Sequence, residues 1–283
     1  FPWTLSPSQE VDISTIYSPV DLGLDQASVF IESNDPMHEI YTVYKSGEGI
    51  FEQRVLDTFL QSNVIMSDII FVVDNSGSMS YIHNSLSNQI YSFMETVNSL
   101  NLDYRIGFSS TDSSSFYSYN GLYWIDNNYL DPELWAQNVI YSLGTGGSAV
   151  ERGIEFSAYL LQNQNIDGAL SFMRSDANLS IIYISDEKDQ SSGGWSSYLG
   201  FFDSIKQNTD MMSVFSVIGD FPGGCTSYVN GYGRNIEFGE GYYDLSNHYN
   251  GSWFSICDED WGLQLQEIAT SIADRRSFAL SDQ

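Results

Sequence analysis

The run Ile69-Ile70-Phe71-Val72-Val73 constrains the chain more than any other stretch: five consecutive apolar residues, four of them β-branched, with no position left to face water. A strand of this kind needs cover on both faces, as at the centre of a parallel sheet. Leu179 to Ser185 and Met212 to Ile218 repeat the pattern, and Arg105-Ile106-Gly107-Phe108-Ser109 reads as another strand. Between these lie helical stripes. Ile82, Leu86, Ile90, Phe93, Val97 and Leu100 recur at spacings of three and four, which puts all of them on one helix face. Val150, Ile154, Ala158 and Leu161 form a second stripe, and Trp261, Leu265, Ile268 and Ile272 a third. Alternating β and α elements predict an α/β fold: a doubly wound, mainly parallel sheet with helices on both faces. Ligand sites of such sheets lie at the carboxyl ends of the strands.

The chain of 283 residues exceeds the usual single-domain length of roughly 150, so more than one unit is expected. Residues 1–63 lack a useful helical stripe and read as a small β-rich module. Its extended pieces Ser28 to Glu32 and Glu39 to Tyr44 are set off by the turn signals Asn34-Asp35-Pro36 and Ser46-Gly47-Glu48-Gly49. Residues 64–278 form the α/β domain, and 279–283 read as a tail or the start of a following domain. Acidic residues 258–260 ahead of the last stripe and Arg275-Arg276 after it match a helix dipole. A first residue of Phe1 with no basic or apolar leader suggests a processed chain or a cut fragment.

With 10 Lys and Arg against 37 Asp and Glu, the formal charge is −27. That field repels nucleic acid and anionic membrane surfaces, which argues against a nucleic-acid binder. A hydrophobic share of 42% and an aromatic share of 15% are too high for a disordered chain. No apolar run reaches the roughly 20 residues a membrane-spanning helix needs, so no direct membrane insertion is expected. Cys225 and Cys257 are the only cysteines, and in this Ser-, Asn- and Tyr-rich setting they suit a disulfide in an oxidising exterior, with two free buried thiols as the other reading. A secreted or cell-surface protein is expected.

The first buried strand runs directly into Asp74-Asn75-Ser76-Gly77-Ser78-Met79-Ser80. This places a carboxylate and two hydroxyls on the turn between strand and helix, with Gly77 permitting a tight path. Hard oxygens in one loop suit Mg²⁺ better than Zn²⁺. Taken alone, Asp74 could equally cap the following helix.

The pattern Asp74-x-Ser76-x-Ser78 after an apolar strand resembles the metal-ion-dependent adhesion site of von Willebrand factor A domains, bacterial secreted and surface members in particular. Two more elements of that pattern follow in the same order: the loop Leu143-Gly144-Thr145-Gly146-Gly147, and Asp186 at the end of Ile181-Ile182-Tyr183-Ile184-Ser185-Asp186. The resemblance implies that Ser76, Ser78 and Thr145 ligate the ion directly, while Asp74 and Asp186 act largely through bound water. The stretch from Thr145 to Gly153 is longer than in integrins, so Ser148 is an alternative to Thr145. The implied cofactor is Mg²⁺, or Mn²⁺ or Ca²⁺ in its place. The implied function is non-enzymatic: an adhesion module whose ion captures a carboxylate on a protein or glycan partner.

Two other functions are open to the same residues. One is a structural unit of a surface fibre or virion, with the ion rigidifying loops. The other is a Mg²⁺-dependent phosphatase-like enzyme with Asp74 as nucleophile, although the second Asp such a site needs is replaced by Ser76. Glu187 and Asp189 read as shaping the loop of Asp186. His38, His83 and His248 share no motif and read as surface or packing residues. The aromatics from Tyr117 to Trp135 read either as a recognition rim or as a satellite core.

Overall fold

The structure is a computed structural model that describes residues 4–6, 9–37, 39–49, 65–100, 102–164, 172–206, 208–229, 232–258 and 261–274. His38, residues 259–260, Arg275, Arg276 and the tail 279–283 lie outside the described residues. The chain divides into two units, residues 1–58 and residues 59–279.

The first unit is built on an antiparallel hairpin of β1 (Gly23–Glu32) and β2 (Ile40–Gly49), with ten residue pairs in register from Gly23 opposite Gly49 to Glu32 opposite Ile40. The turn lies at Asn34 to Met37, as the sequence indicates. Ser46 to Gly49 is not a turn: it continues β2, because Leu24, Asp25 and Gln26 offer ladder partners to Glu48, Gly47 and Ser46. The local turn preference of Ser and Gly yields there to cross-strand pairing.

The second unit carries, in chain order, β3 (Ile65–Val73), α1 (His83–Ser99), β4 (Leu102–Ser110), β5 (Trp124–Asp126), α2 (Pro132–Leu143), α3 (Gly153–Gln164), β6 (Asn178–Ile184), α4 (Leu199–Phe202), β7 (Met212–Ile218), β8 (Cys225–Val229), β9 (Tyr232–Ile236), α5 (Tyr242–His248), β10 (Trp253–Ser255) and α6 (Trp261–Ala273). Six strands form one sheet in the order β10-β7-β6-β3-β4-β5, parallel except for β5 at the edge. A separate antiparallel hairpin pairs β8 with β9.

Alternation along β3 explains the layering. Ile69, Phe71 and Val73 point into a core formed with α1, α2 and α6, where Phe71 lies 5.0 Å from Phe93 and stacks on Phe108 at 5.1 Å. Ile70 and Val72 point the other way, toward Ile154, Ala158 and Leu161 of α3, Phe202 of α4 and Leu245 of α5. The strand is therefore apolar at every position from 69 to 73 because each face meets helices, and the doubly wound sheet is confirmed. α3 starts at Gly153, so Val150 precedes it and is half exposed rather than on its buried stripe. β5, α2, α5 and the β8–β9 hairpin lack the long periodic runs by which the other elements announce themselves.

The chain winds from β3 outward to β4 and β5, then crosses to β6, β7 and β10 on the other side. The winding direction reverses between β3 and β6, which is where an open α/β sheet leaves a crevice beyond its strand ends. At the opposite end of these strands, Arg174 donates to the fully buried Asp68 (Nε to Oδ1 2.9 Å, backbone N to Oδ2 2.6 Å) and to Asp103 (Nη1 to Oδ1 2.7 Å). Lys206 donates to the Arg174 carbonyl beside it.

Candidate metal-ion site

Asp74 is the first residue beyond β3, and Asp186 is the second beyond β6. The ladder extends past the strands to fix both: Asp74 N donates to Ile184 O at 2.9 Å and Ser185 N to Val217 O at 3.2 Å. Asp74 and Asp186 are buried, as is Ser76. Asp74 Oδ1 accepts the Ser76 backbone N–H at 2.8 Å, which folds the loop back on itself, and Oδ2 accepts the Ser185 hydroxyl at 2.7 Å. Asp74 does not cap α1, which begins at His83 after a 3-10 turn over Gly77–Tyr81. Ser76 Oγ lies 2.6 Å from Ser78 Oγ, and Ser78 Oγ donates to Asp186 Oδ1 at 2.8 Å. The side chains of Ser76, Ser78 and Asp186, 110 positions apart from first to last (186 − 76), thus form one hydrogen-bonded chain above the switch point.

The Thr145 loop reaches the same place through its backbone. Gly147 N donates to Asn75 O at 2.8 Å, and the Thr145 carbonyl lies 4.0 Å from where a Cβ on Gly77 would stand. Among the described residues, no hydrogen bond joins the Thr145 or Ser148 side chain to those of Asp74, Ser76, Ser78 or Asp186. Ser148 instead donates its backbone N–H to Asp112 Oδ2 at 3.0 Å, and its hydroxyl accepts from Val150 N. Gly77 has neither a left-handed backbone nor a close neighbour, so the glycine the loop requires is Gly147, where a Cβ would stand 2.3 Å from Asn75 Oδ1.

Three polar residues that the sequence reading did not assign to the site complete the crevice. Ser185 bonds Asp74. Thr111, just beyond β4, takes the Val73 carbonyl through its N–H at 3.2 Å and donates its hydroxyl to Glu151 Oε2. Glu151 is fully buried between the Thr145 loop and α3, with its carboxyl against that of Asp74 and its Oε1 without a hydrogen-bond partner. Nothing in the Gly- and Ser-rich run 146–151 marks Glu151 as buried; an isolated acid before a helix reads as a solvated first-turn charge.

The electrostatics follow from burial. Desolvation, foremost, raises the carboxyls of Asp74, Asp186 and Glu187 above the usual carboxylate range, and for Asp186 and Glu187 the charge of Asp74 adds to it. Desolvation and then the Asp74 charge lift Glu151 to about 8. The cation nearest in effect is Arg234 of β9, whose guanidinium lies 5.0 Å from the Tyr81 ring centre and eases the charge of Asp186 and Glu187. A pocket of buried carboxyls that raise one another's pKa is short of positive charge.

Among the described residues, no three of His, Cys, Asp or Glu converge as a metal cluster by themselves. Hydroxyls would have to complete any coordination shell, and Ser76 and Ser78 stand where they could do so. The donors present are hard oxygens, and Glu151 Oε1 is buried without a hydrogen-bond partner, so the residues fit a small divalent cation.

Other sequence expectations resolve more simply. Asp189 accepts from Ile154 N at 3.2 Å and from the Ser191 hydroxyl at 2.8 Å, anchoring the start of α3. His83 is buried in packing, where desolvation lowers its pKa, and His248 lies against Trp195 and Tyr249. Of the aromatics from 117 to 135, Trp135 is buried and Tyr117, Tyr119 and Tyr129 pack on the core, while Tyr123, Trp124 and Tyr129 also line an open groove of about 410 Å³. Cys225 and Cys257 form a disulfide that ties the β8–β9 hairpin to the loop after β10.

The sheet is parallel with one antiparallel edge strand, carries helices on both faces, and has an Asp-x-Ser-x-Ser loop at its switch point, the arrangement that the sequence resemblance implies. No family model and no curated protein matches the chain. Among solved structures, a von Willebrand factor type A protein from Catenulispora acidiphila aligns at 12% identity and a TM-score of 0.49, over 91% of this chain and 52% of that one. BatB from Bacteroides thetaiotaomicron aligns at 14% identity and 0.45, over 73% of this chain and 98% of its own. The pilus adhesin SpaC from Lactobacillus rhamnosus GG aligns at 13% identity and 0.40, over 91% and 35%. The chain spans about half the length of the Catenulispora protein.

Proposed function

We propose that this chain is a cation-dependent binding module that captures an acidic group of a protein or glycan partner outside the cell and carries out no covalent chemistry. The reading is carried by the Ser76–Ser78–Asp186 chain of oxygens at 2.6 and 2.8 Å, set beside Asp74 at the switch point. Ser76, Ser78 and a hydroxyl from the 145–148 loop would hold Mg²⁺, or Mn²⁺ or Ca²⁺, with Asp74 and Asp186 adjoining. An ion held largely by neutral hydroxyls keeps much of its charge, and so would attract a partner's carboxylate. For a protein of charge −27, such an ion offers an acidic partner a local point of attraction. The Cys225–Cys257 disulfide supports an extracellular setting.

Thermal melts test the site. Millimolar Mg²⁺ or Mn²⁺ should raise the melting temperature of the wild-type chain, with a stabilisation of about 2.7 kcal/mol at a hundredfold excess over Kd. The variant D74A/S76A should show no such rise. A wild-type melt unmoved by either metal refutes the proposal.

A further inference from the structure

We infer that Glu151 belongs to the cation site as a positioning and charge-supplying residue, a role that the Asp-Ser-Ser, Thr and Asp pattern does not assign. The inference rests on the reading of this crevice as a cation site. Glu151 is fully buried, and only one of its two oxygens has a partner, the Thr111 hydroxyl. The carboxyl as a whole is held against that of Asp74. Two carboxylates in contact are each acceptors only, so neither satisfies the other unless a proton or a cation comes between them.

The surroundings make this placement deliberate rather than incidental. Glu151 is pinned from both sides by its own backbone and that of its neighbour: Gln190 N donates to Glu151 O at 2.6 Å, and Arg152 N to Thr111 O at 2.9 Å. These bonds join the loop of Asp186 and the end of β4 to residues 151 and 152, so the backbone that carries the Glu151 side chain is fixed where three segments meet. The flanking charges are Asp74, Asp112 and Glu187, all acidic. A fully buried carboxylate among like charges is costly to a fold unless it takes up a proton or meets a positive partner. The described residues supply none at Glu151: Arg152 pairs with Glu155 at 3.5 Å, and Arg234 acts on Asp186 and Glu187.

Because the three acids Asp74, Glu151 and Asp186 do not converge as a cluster, Glu151 acts alongside Asp74, through contact or one bridging water, rather than as a third apex around the ion. Its effect is to tighten the hold on the cation and, by adding negative charge, to weaken the pull of that cation on a partner's acid.

Calorimetric titration of Mn²⁺ into the full chain, wild type and E151Q, decides the matter, with melts in EDTA as the control for folding. The expected result is at least a tenfold weaker Mn²⁺ affinity for E151Q, an EDTA melt no lower than wild type, and partial recovery of affinity in E151D. Equal Mn²⁺ affinity in wild type and E151Q overturns the inference while leaving the cation site standing. No Mn²⁺ binding by the wild type overturns the cation site itself, and this inference with it. Should E151Q not fold, an anomalous difference map of Mn²⁺-loaded wild type takes its place: an ion within about 5 Å of the Glu151 carboxyl, the span of one bridging water, supports the role, and a more distant ion refutes it.

Discussion

Replacing Arg174 by Met separates burial from charge at the end of the sheet away from the crevice. Asp68 is fully buried in β3, and burial raises its pKa even with Arg174 alongside. R174M keeps most of the side-chain volume and the 2.6 Å backbone bond to Asp68 Oδ2, but removes the Nε bond and the guanidinium that pairs with Asp68. Stranding one member of a buried ion pair costs about 3–5 kcal/mol. Lys206, whose charge also favours ionised Asp68, remains nearby, so the lower end of that range is expected. For a domain of this size each kcal/mol moves the melting temperature by about 2–4 °C, which gives a fall of about 6–12 °C at pH 7. The pH dependence has a definite sign. With the cation gone, the folded-state pKa of Asp68 climbs further, the folded chain holds the proton more tightly than the unfolded one, and stability is regained as pH falls. The deficit should therefore shrink toward pH 5 and be fully developed at pH 8. The double variant D68N/R174M, with no carboxylate to strand, should recover most of the loss. A melting temperature for R174M within about 2 °C of wild type at pH 7, or a double variant no better than the single, refutes the reasoning.

Two further outcomes follow from the crevice and the hairpin. In EDTA the wild-type chain should lose stability as pH rises from about 4 to about 8, because burial raises Asp189 to about 6 and Glu151 to about 8, and raised carboxyls favour the folded state only while they keep their protons; melts of E151Q should flatten the upper part of that decline. Replacing both disulfide cysteines by Ser opens a loop with a sequence separation of 32, which the chain-entropy relation values at about 3–4 kcal/mol, read as a lower urea midpoint with little change in slope.

The sheet was legible because its strands are buried on both sides: Ile69 to Val73 could be nothing but central, and its register with β4 and β6 carries Asp74 to the crevice. The meeting of Ser76 and Ser78 with Asp186 was legible through the resemblance to the adhesion-site pattern, which names a strand-terminal Asp beside the Asp-x-Ser-x-Ser loop. Glu151 and Thr111 were not, because their burial comes from three segments closing over them and no local pattern records that. The same holds for α5 and the β8–β9 hairpin. They are short, and they are held by contacts such as the Tyr183–Tyr242 stack at 4.9 Å and by the disulfide rather than by periodicity. Ser46 to Gly49 shows the converse, a turn-rich composition drawn into a strand by its partner.

The registers of β3 have a mechanical consequence. Nine residue pairs tie it to β4 and seven to β6, all parallel, and the crevice loop leaves from its far end. A tug delivered at Asp74 and resisted by the polypeptide entering at Ile65 would run lengthwise down this strand. It would load both ladders in shear, many bonds at once, instead of peeling them one by one, so the axis along which a tether would act is also the one along which this molecule is hardest to pull apart.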